Sequence, residues 1–323
     1  MKATDKPRWY KCDVPKEELK QLMRKSDIAG IIHTALYLTL LIGLGTAAYF
    51  SIGTVWMIPA FFIYGTVYCF WNHMMHETFH GTPFKNKKLN GFWCWISSFF
   101  NGVEMVHNRY GHLQHHNFTY YEEDDPEIEI QRTITLWKML PKFIAVGLFN
   151  PIPIARHALG ILDKETRSIV PKNEWNKMIW SSRWWLLGHS LIIASCFIFN
   201  SWLPAVYTIF ARFYGAPLGR SLDLIQHIGM EVNVRDHRLC TRDVYLNPLT
   251  RFLYWNMNYH IEHHMFPAVP FHALPKLHEK IKTQLPETYS SWLAAYREII
   301  STVLKQQKDP TYCFTPKLPE KTL

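Results

Sequence analysis

The sequence predicts an all-α integral membrane protein in which two transmembrane helical hairpins, about four spans, stand under a cytosolic helical cap. Two long apolar runs and a basic N-terminus carry that expectation. From residue 28 to residue 76 no Asp, Glu, Lys or Arg occurs over 49 positions. As one helix this run would extend about 74 Å, more than twice a ~30 Å hydrocarbon core. It must fold back, and Gly53 and Pro59 mark the turn, giving spans near 29–50 and 53–72. Residues 184–219 carry Arg212 as their only charge over 36 positions. At about 54 Å they too exceed one crossing. Pro204 sits where this second hairpin would turn, giving spans near 184–200 and 202–218, with Arg212 snorkelling towards the headgroups.

The remaining segments follow from charge and periodicity. Residues 1–27 form a basic arm with eight Lys and Arg, whereas neither hairpin tip has any. The positive-inside rule then places the arm and the cap in the cytosol, at the endoplasmic reticulum or a bacterial inner membrane. The arm is too charged for the apolar core of a cleaved signal. The apolar stretches 89–103 and 143–155 are too short to span and are read as interfacial or buried helices. Residues 28–280 make up the membrane domain, and 281–323 a C-terminal helix and tail. Apolar and charged residues alternate with helical spacing over 274–307, as in a covering helix, and the proline-containing 308–323 is expected to be extended and mobile.

Composition excludes several classes. With 15% aromatic and 19% charged residues the chain is not disordered, and its net charge of +9 fits a basic membrane flank better than a nucleic-acid surface. The six cysteines form no C-x-x-C pair, so neither a zinc ribbon nor a redox dithiol is visible, and a reducing compartment is implied.

The 17 histidines are the unusual feature. Three segments concentrate them: His76-Glu-Thr-Phe-His80, His112-Leu-Gln-His115-His116 and His260-Ile-Glu-His263-His264. On a helix, positions i, i+3 and i+4 share a face, so each segment aims two or three imidazoles at one point. Each hairpin returns the chain to the side it left, so all three segments emerge on the same face of the membrane. Eight imidazoles exceed the four of a tetrahedral zinc site, which implies two metal ions. A nearly all-nitrogen donor set suits redox iron first, with copper or zinc behind it. His33 and His189 lie inside spans and read as hydrogen-bonded packing residues. His73, His107, His157, His237, His272 and His278 are assigned structural or surface roles.

These three boxes, HETFHGT, HLQHHNFT with Asp125-Pro126 downstream, and NYHIEHHMFP, resemble those of the membrane fatty acid desaturase/hydroxylase superfamily over roughly residues 28–280. The resemblance implies four membrane helices under a cytosolic cap that holds two iron ions, with His76, His80, His112, His115, His116, His260, His263 and His264 as ligands. The superfamily commonly adds a ninth histidine before the last box, which points to His227. Asp223, four residues earlier, is a candidate to orient that ligand or hold a metal-bound water, and Asn258 is a second supporting candidate. Glu77, Glu104 and Glu262 are candidates on proximity alone, and residues 122–125 match the acidic Asp-Pro element.

The implied chemistry is activation of O2 and attack on an unactivated C–H bond, most simply desaturation of a fatty acyl or lipid-like substrate. Hydroxylation or oxidative demethylation by a terminal oxygenase is the alternative, because the boxes do not distinguish them. A non-catalytic metal-binding scaffold and a metal transporter rank lower, since no box position is missing and the histidines lie outside the spans. Without a nucleotide fingerprint or an iron–sulfur cysteine pattern, electrons must come from a separate donor. By resemblance this is a cytochrome b5, or a ferredoxin with its reductase.

Overall fold

The computed structural model describes residues 8–128, 134–144 and 151–320. Among them the chain is helical, and the only β pairing is two isolated bridges, Met230 with Phe314 and Val244 with Tyr289. The helices are α1 (Lys16–Leu22), α2 (Asp27–Phe50), α3 (Met57–Tyr68), α4 (Trp71–His80), α5 (Lys87–Phe100), α6 (Met105–Asn117), α7 (Leu136–Ile144), α8 (Pro151–Ala158), α9 (Lys164–Ile169), α10 (Trp175–Ile198), α11 (Leu203–Tyr207), α12 (Ala211–Tyr214), α13 (Ala216–Ile225), α14 (His237–Cys240), α15 (Pro248–Leu253), α16 (His260–Met265), α17 (Leu274–Ile281) and α18 (Trp292–Gln306). Positions 145–150 of the expected interfacial stretch 143–155 lie outside the described residues.

Helix α2 starts where Ser26 Oγ accepts from Ala29 N at 3.2 Å, and runs 24 residues, about 36 Å. It is the one helix among the described residues long and apolar enough by composition to cross a membrane. Large apolar side chains turn outward on α2 (Ile28, Leu36, Ile42, Phe50), on α3 (Ile58, Phe62) and on α10 (Trp184, Leu191, Phe197). The second expected span is split. Helix α3 ends at Tyr68, but Cys69 and Phe70 keep right-handed backbone angles, so the chain passes through one tight turn into α4 and the first histidine box.

The second hairpin differs more from expectation. Helix α10 begins nine residues before position 184, and the chain turns at Asn200, whose φ is 49°, rather than at Pro204, which sits in the first turn of α11. The expected span 202–218 is not one helix. Thr208 leaves helical geometry (φ −124°, ψ −76°), and Gly215 and Pro217 start α13 afresh. Arg212, expected among headgroups, is 6% exposed, because the short α12 carries it inward against the α3–α5 layer.

A close backbone crossing joins α3 to the α12–α13 junction. A Cβ on Gly215 would lie 1.9 Å from the carbonyl carbon of Gly65, and one on Gly65 would lie 2.2 Å from the Tyr214 ring. Only small residues permit this approach. Gly215→Val is therefore expected to destabilise the fold by about 3 kcal/mol or more, because backbone cannot yield as a side chain can. A thermal midpoint unchanged in detergent would refute the crossing.

The described segments nearest each end of the chain pack beside the histidine-bearing helices. Trp9 stacks on His237 with ring centroids 3.9 Å apart and donates Nε1–H to the Asn117 carbonyl, while Cys12 N–H points to Met265 Sδ at 3.0 Å. The basic arm thus straps the ends of α6 and α16. Helix α17 buries Leu274, Leu277 and Ile281, and α18 packs on α13 and α7. The tail expected to be mobile is extended but tied down, with Phe314 N–H donating to the Gly229 carbonyl at 2.8 Å.

Candidate metal centre

Helices α4, α6 and α16 and the turn after α13 bring all nine histidines singled out by sequence to one place. Glu104 caps α6, its two carboxylate oxygens accepting from Val106 N and His107 N at 3.0 and 2.7 Å. The candidate Glu104 is therefore a helix cap, and α6 is held so that His112, His115 and His116 project on one side.

The imidazoles form two groups. His76, His80, His112, His116 and His263 each offer a nitrogen within 4.8 Å of the others, as do His115, His227 and His264. His260 joins the second group through Nε2, 3.0 Å from Nε2 of His264. In the first group the Nε2 atoms of His80, His112, His116 and His263 follow one another at 2.9, 3.0 and 3.2 Å. Each Nε2 carries either one proton or one in-plane lone pair. Three such contacts among four atoms cannot all be good hydrogen bonds, since His112 Nε2 would serve two neighbours at once. A shared cation accepts every lone pair, so the donor set fits a transition metal ion in each group.

Protonation states agree with that fit except at His115, which burial lowers but the Asp125 and Glu127 carboxylates push up to about 9. His76, His80, His116, His260, His263 and His264 are held well below the ordinary imidazole value, by burial first and then by neighbouring imidazoles. His227 is brought down to about 3 by burial and then by His115. Neutral imidazole is the form that binds metal.

The outer nitrogens are oriented by partners. His115 Nδ1 donates to Asp125 Oδ2 at 2.8 Å, and His112 Nδ1 to Glu127 at 3.1 Å. His227 Nδ1 donates to the Cys240 carbonyl at 2.8 Å, leaving its buried Nε2 without a partner. Thr119 gives its hydroxyl proton to the His115 carbonyl and so accepts from His264 Nδ1 at 3.1 Å. In all four residues a proton sits on the outer nitrogen and Nε2 faces the groups; His115, held protonated by Asp125 and Glu127, must shed its Nε2 proton to bind metal.

The supporting residues proposed from sequence fall differently. Asp223 does not hydrogen-bond His227. Its Oδ1 lies 2.9 Å from His73 Nε2 and its Oδ2 accepts from Asn72, because α13 ends at Ile225 and the i, i+4 relation to His227 is lost. Asn258 donates to the Val244 carbonyl, and its buried Oδ1 has no partner. Glu77 is fully buried, accepts from Thr82, lies 3.8 Å from His263 Nδ1 and is pushed up to about 8 by burial. Glu262 faces away from the histidines. It bonds His278 Nδ1 at 2.5 Å beside Asp243, whose Oδ1 accepts from Ile261 N. This acid–imidazole cluster fixes α16 to α17, and it gave His278 and Asp243 a role that spacing did not reveal. Within 122–125 the working residue is Asp125; Glu127 and Thr119 were missed, though Glu127 lies one residue past the visible Asp-Pro pair.

A cavity of about 460 Å³ opens beside both groups, lined by His76, His112, His115, His227 and His260. The rest of its wall mixes polar side chains, Asn72, Asn101, Arg212, Arg220, Asp223 and Gln226, with apolar ones such as Met75, Phe79, Leu224 and Met257.

A family model described as fatty acid desaturase matches residues 53–296. An acyl-lipid (9-3)-desaturase of Physcomitrium patens is 27% identical over 104 residues, a segment that covers 30% of this chain and 19% of that protein's length.

Proposed function

The chain belongs to the fatty acid desaturase family, and from that premise we propose that it is an O2-dependent, di-iron membrane oxidoreductase acting on an unactivated C–H bond, with desaturation of a fatty acyl or lipid-like substrate as its reaction. Membership supports a desaturase-type oxidoreductase in a membrane setting; the convergence of nine imidazoles in two groups beside one cavity is the observation that carries the finer reading. His76, His80, His112, His116 and His263 would hold one ion, and His115, His227, His260 and His264 the other. Two bound irons would supply the activation of O2 that hydrogen removal requires.

The protein's own contribution is position and exclusion. Asp125, Glu127, Thr119 and the Cys240 carbonyl keep the imidazole protons outside, so no donor reorganises during the reaction. The strap from Trp9 to Cys12 and the Glu262–His278–Asp243 cluster hold α6 and α16 in register. Residues 28–280 would form the membrane domain, crossing near 29–50, 53–72, 184–200 and 202–218, the last as a chain of short helices. The cap would face the cytosol, where a cytochrome b5 or ferredoxin docks as electron donor on the basic side.

Desaturation and hydroxylation separate by product mass under 18O2. A loss of two hydrogens without label is expected. Retention of one 18O in the product would replace the desaturase reading by a hydroxylase, and turnover without O2 uptake would remove both.

A further inference from the structure

Every carboxylate on the cavity wall already has a partner. Asp125 holds His115, Glu127 holds His112, and Asp223 holds His73 and lies 3.6 Å from Arg220. Arg212 has no anionic partner: among the described residues its guanidinium makes no ion pair or hydrogen bond, only a ring contact with Phe213 at 5.9 Å, and its Nε is buried without an acceptor. The side chain is nonetheless 94% buried, by its 6% exposure, and lines the cavity. Room for it is made at Gly102, where a Cβ would lie 1.9 Å from Arg212 Nη1 and where φ is +73°, a backbone conformation that disfavours other residues.

A buried guanidinium without a counter-charge is strongly unfavourable. Arg cannot shed its proton to escape that cost. Its planar fork is suited to two oxygens of a carboxylate or phosphate. The same cavity wall carries the amides of Asn72, Asn101 and Gln226.

We propose that Arg212 is the anchor for an oxyanion on the substrate, so that the molecule oxidised at the histidine groups is an acid whose carboxylate or phosphate sits inside the cavity, not a neutral ester with its polar end outside. This rests on the oxidoreductase reading and names its substrate class.

The test is calorimetric titration of the full chain in detergent micelles with hexanoate, hexyl phosphate, 1-hexanol and hexylamine, on samples whose iron content is measured in parallel. Wild-type protein is expected to bind one or both acids at least about tenfold more tightly than 1-hexanol, the factor of one charge-assisted hydrogen bond. The tighter of the two acids identifies the anion. Arg212→Gln is expected to abolish the preference at unchanged iron content, and Arg212→Lys to keep part of it. Equal binding of acid and alcohol, or of acid and amine, would overturn the proposal without any variant, as would a preference that survives Arg212→Gln. Wild-type protein without iron would instead overturn the metal reading, leaving the anion preference to be judged by the same titrations.

Discussion

Replacing His263 and His264 together by alanine is expected to lower bound iron from about two ions per chain to none and to abolish turnover, because the two neighbours serve different groups. His263 Nε2 lies 3.2 Å from His116 Nε2 in the first, and His264 Nε2 lies 3.0 Å from His260 Nε2 in the second. Adjacent helical residues point about 100° apart, which is how a single turn of α16 feeds both centres. The single variants should therefore differ. His263→Ala is expected to spare the second ion, and His264→Ala the first. Elemental mass spectrometry on purified protein, with circular dichroism to show that helices persist, makes the measurement. Two irons retained in the double variant, or zinc in their place, would sink the di-iron mechanism.

Most of this centre was legible in the sequence because its ligands come in i, i+3 and i+4 sets on short helices, and that spacing is a local property. His227 has no such partner and was reached only through resemblance. The supporting groups were harder to read for a physical reason. Asp223 was placed beside His227 on the assumption of an unbroken helix, whereas α13 ends two residues too soon and sends the carboxylate to His73. The carbonyl of Cys240 orients His227 through tertiary contact, and nothing in residue type announces a carbonyl. The first span was legible as the helix α2, the other three only as apolar runs. Hydropathy reports burial in lipid or protein alike, and it does not register the break at Thr208 or the one at Gly215, where the backbone packs against Gly65.

Asp125→Asn is the sharper probe of how the centre is held, since it removes no ligand and almost no volume. The carboxylate is nearly fully buried and accepts three N–H groups: Oδ2 takes His115 Nδ1 at 2.8 Å and Tyr120 N at 2.7 Å, and Oδ1 takes Glu127 N at 2.8 Å. Asparagine offers one acceptor oxygen and one NH2. If the amide oxygen keeps His115, its NH2 faces the Glu127 N–H donor. If the NH2 turns to His115, that ring must accept on Nδ1, and its proton moves to Nε2, where the lone pair is needed for metal. Either arrangement weakens the second group while the first is untouched. The expected result is a 10- to 100-fold loss of affinity at one of the two ions, so that iron falls from about two to about one per chain under mild chelation. Glu127→Gln should do less, because that side chain is 40% exposed and water can replace what the amide withholds. Equal effects of the two substitutions would mean that the buried carboxylate does not set the tautomer of His115, and the centre would then have to be held by packing of α6 and α16 alone.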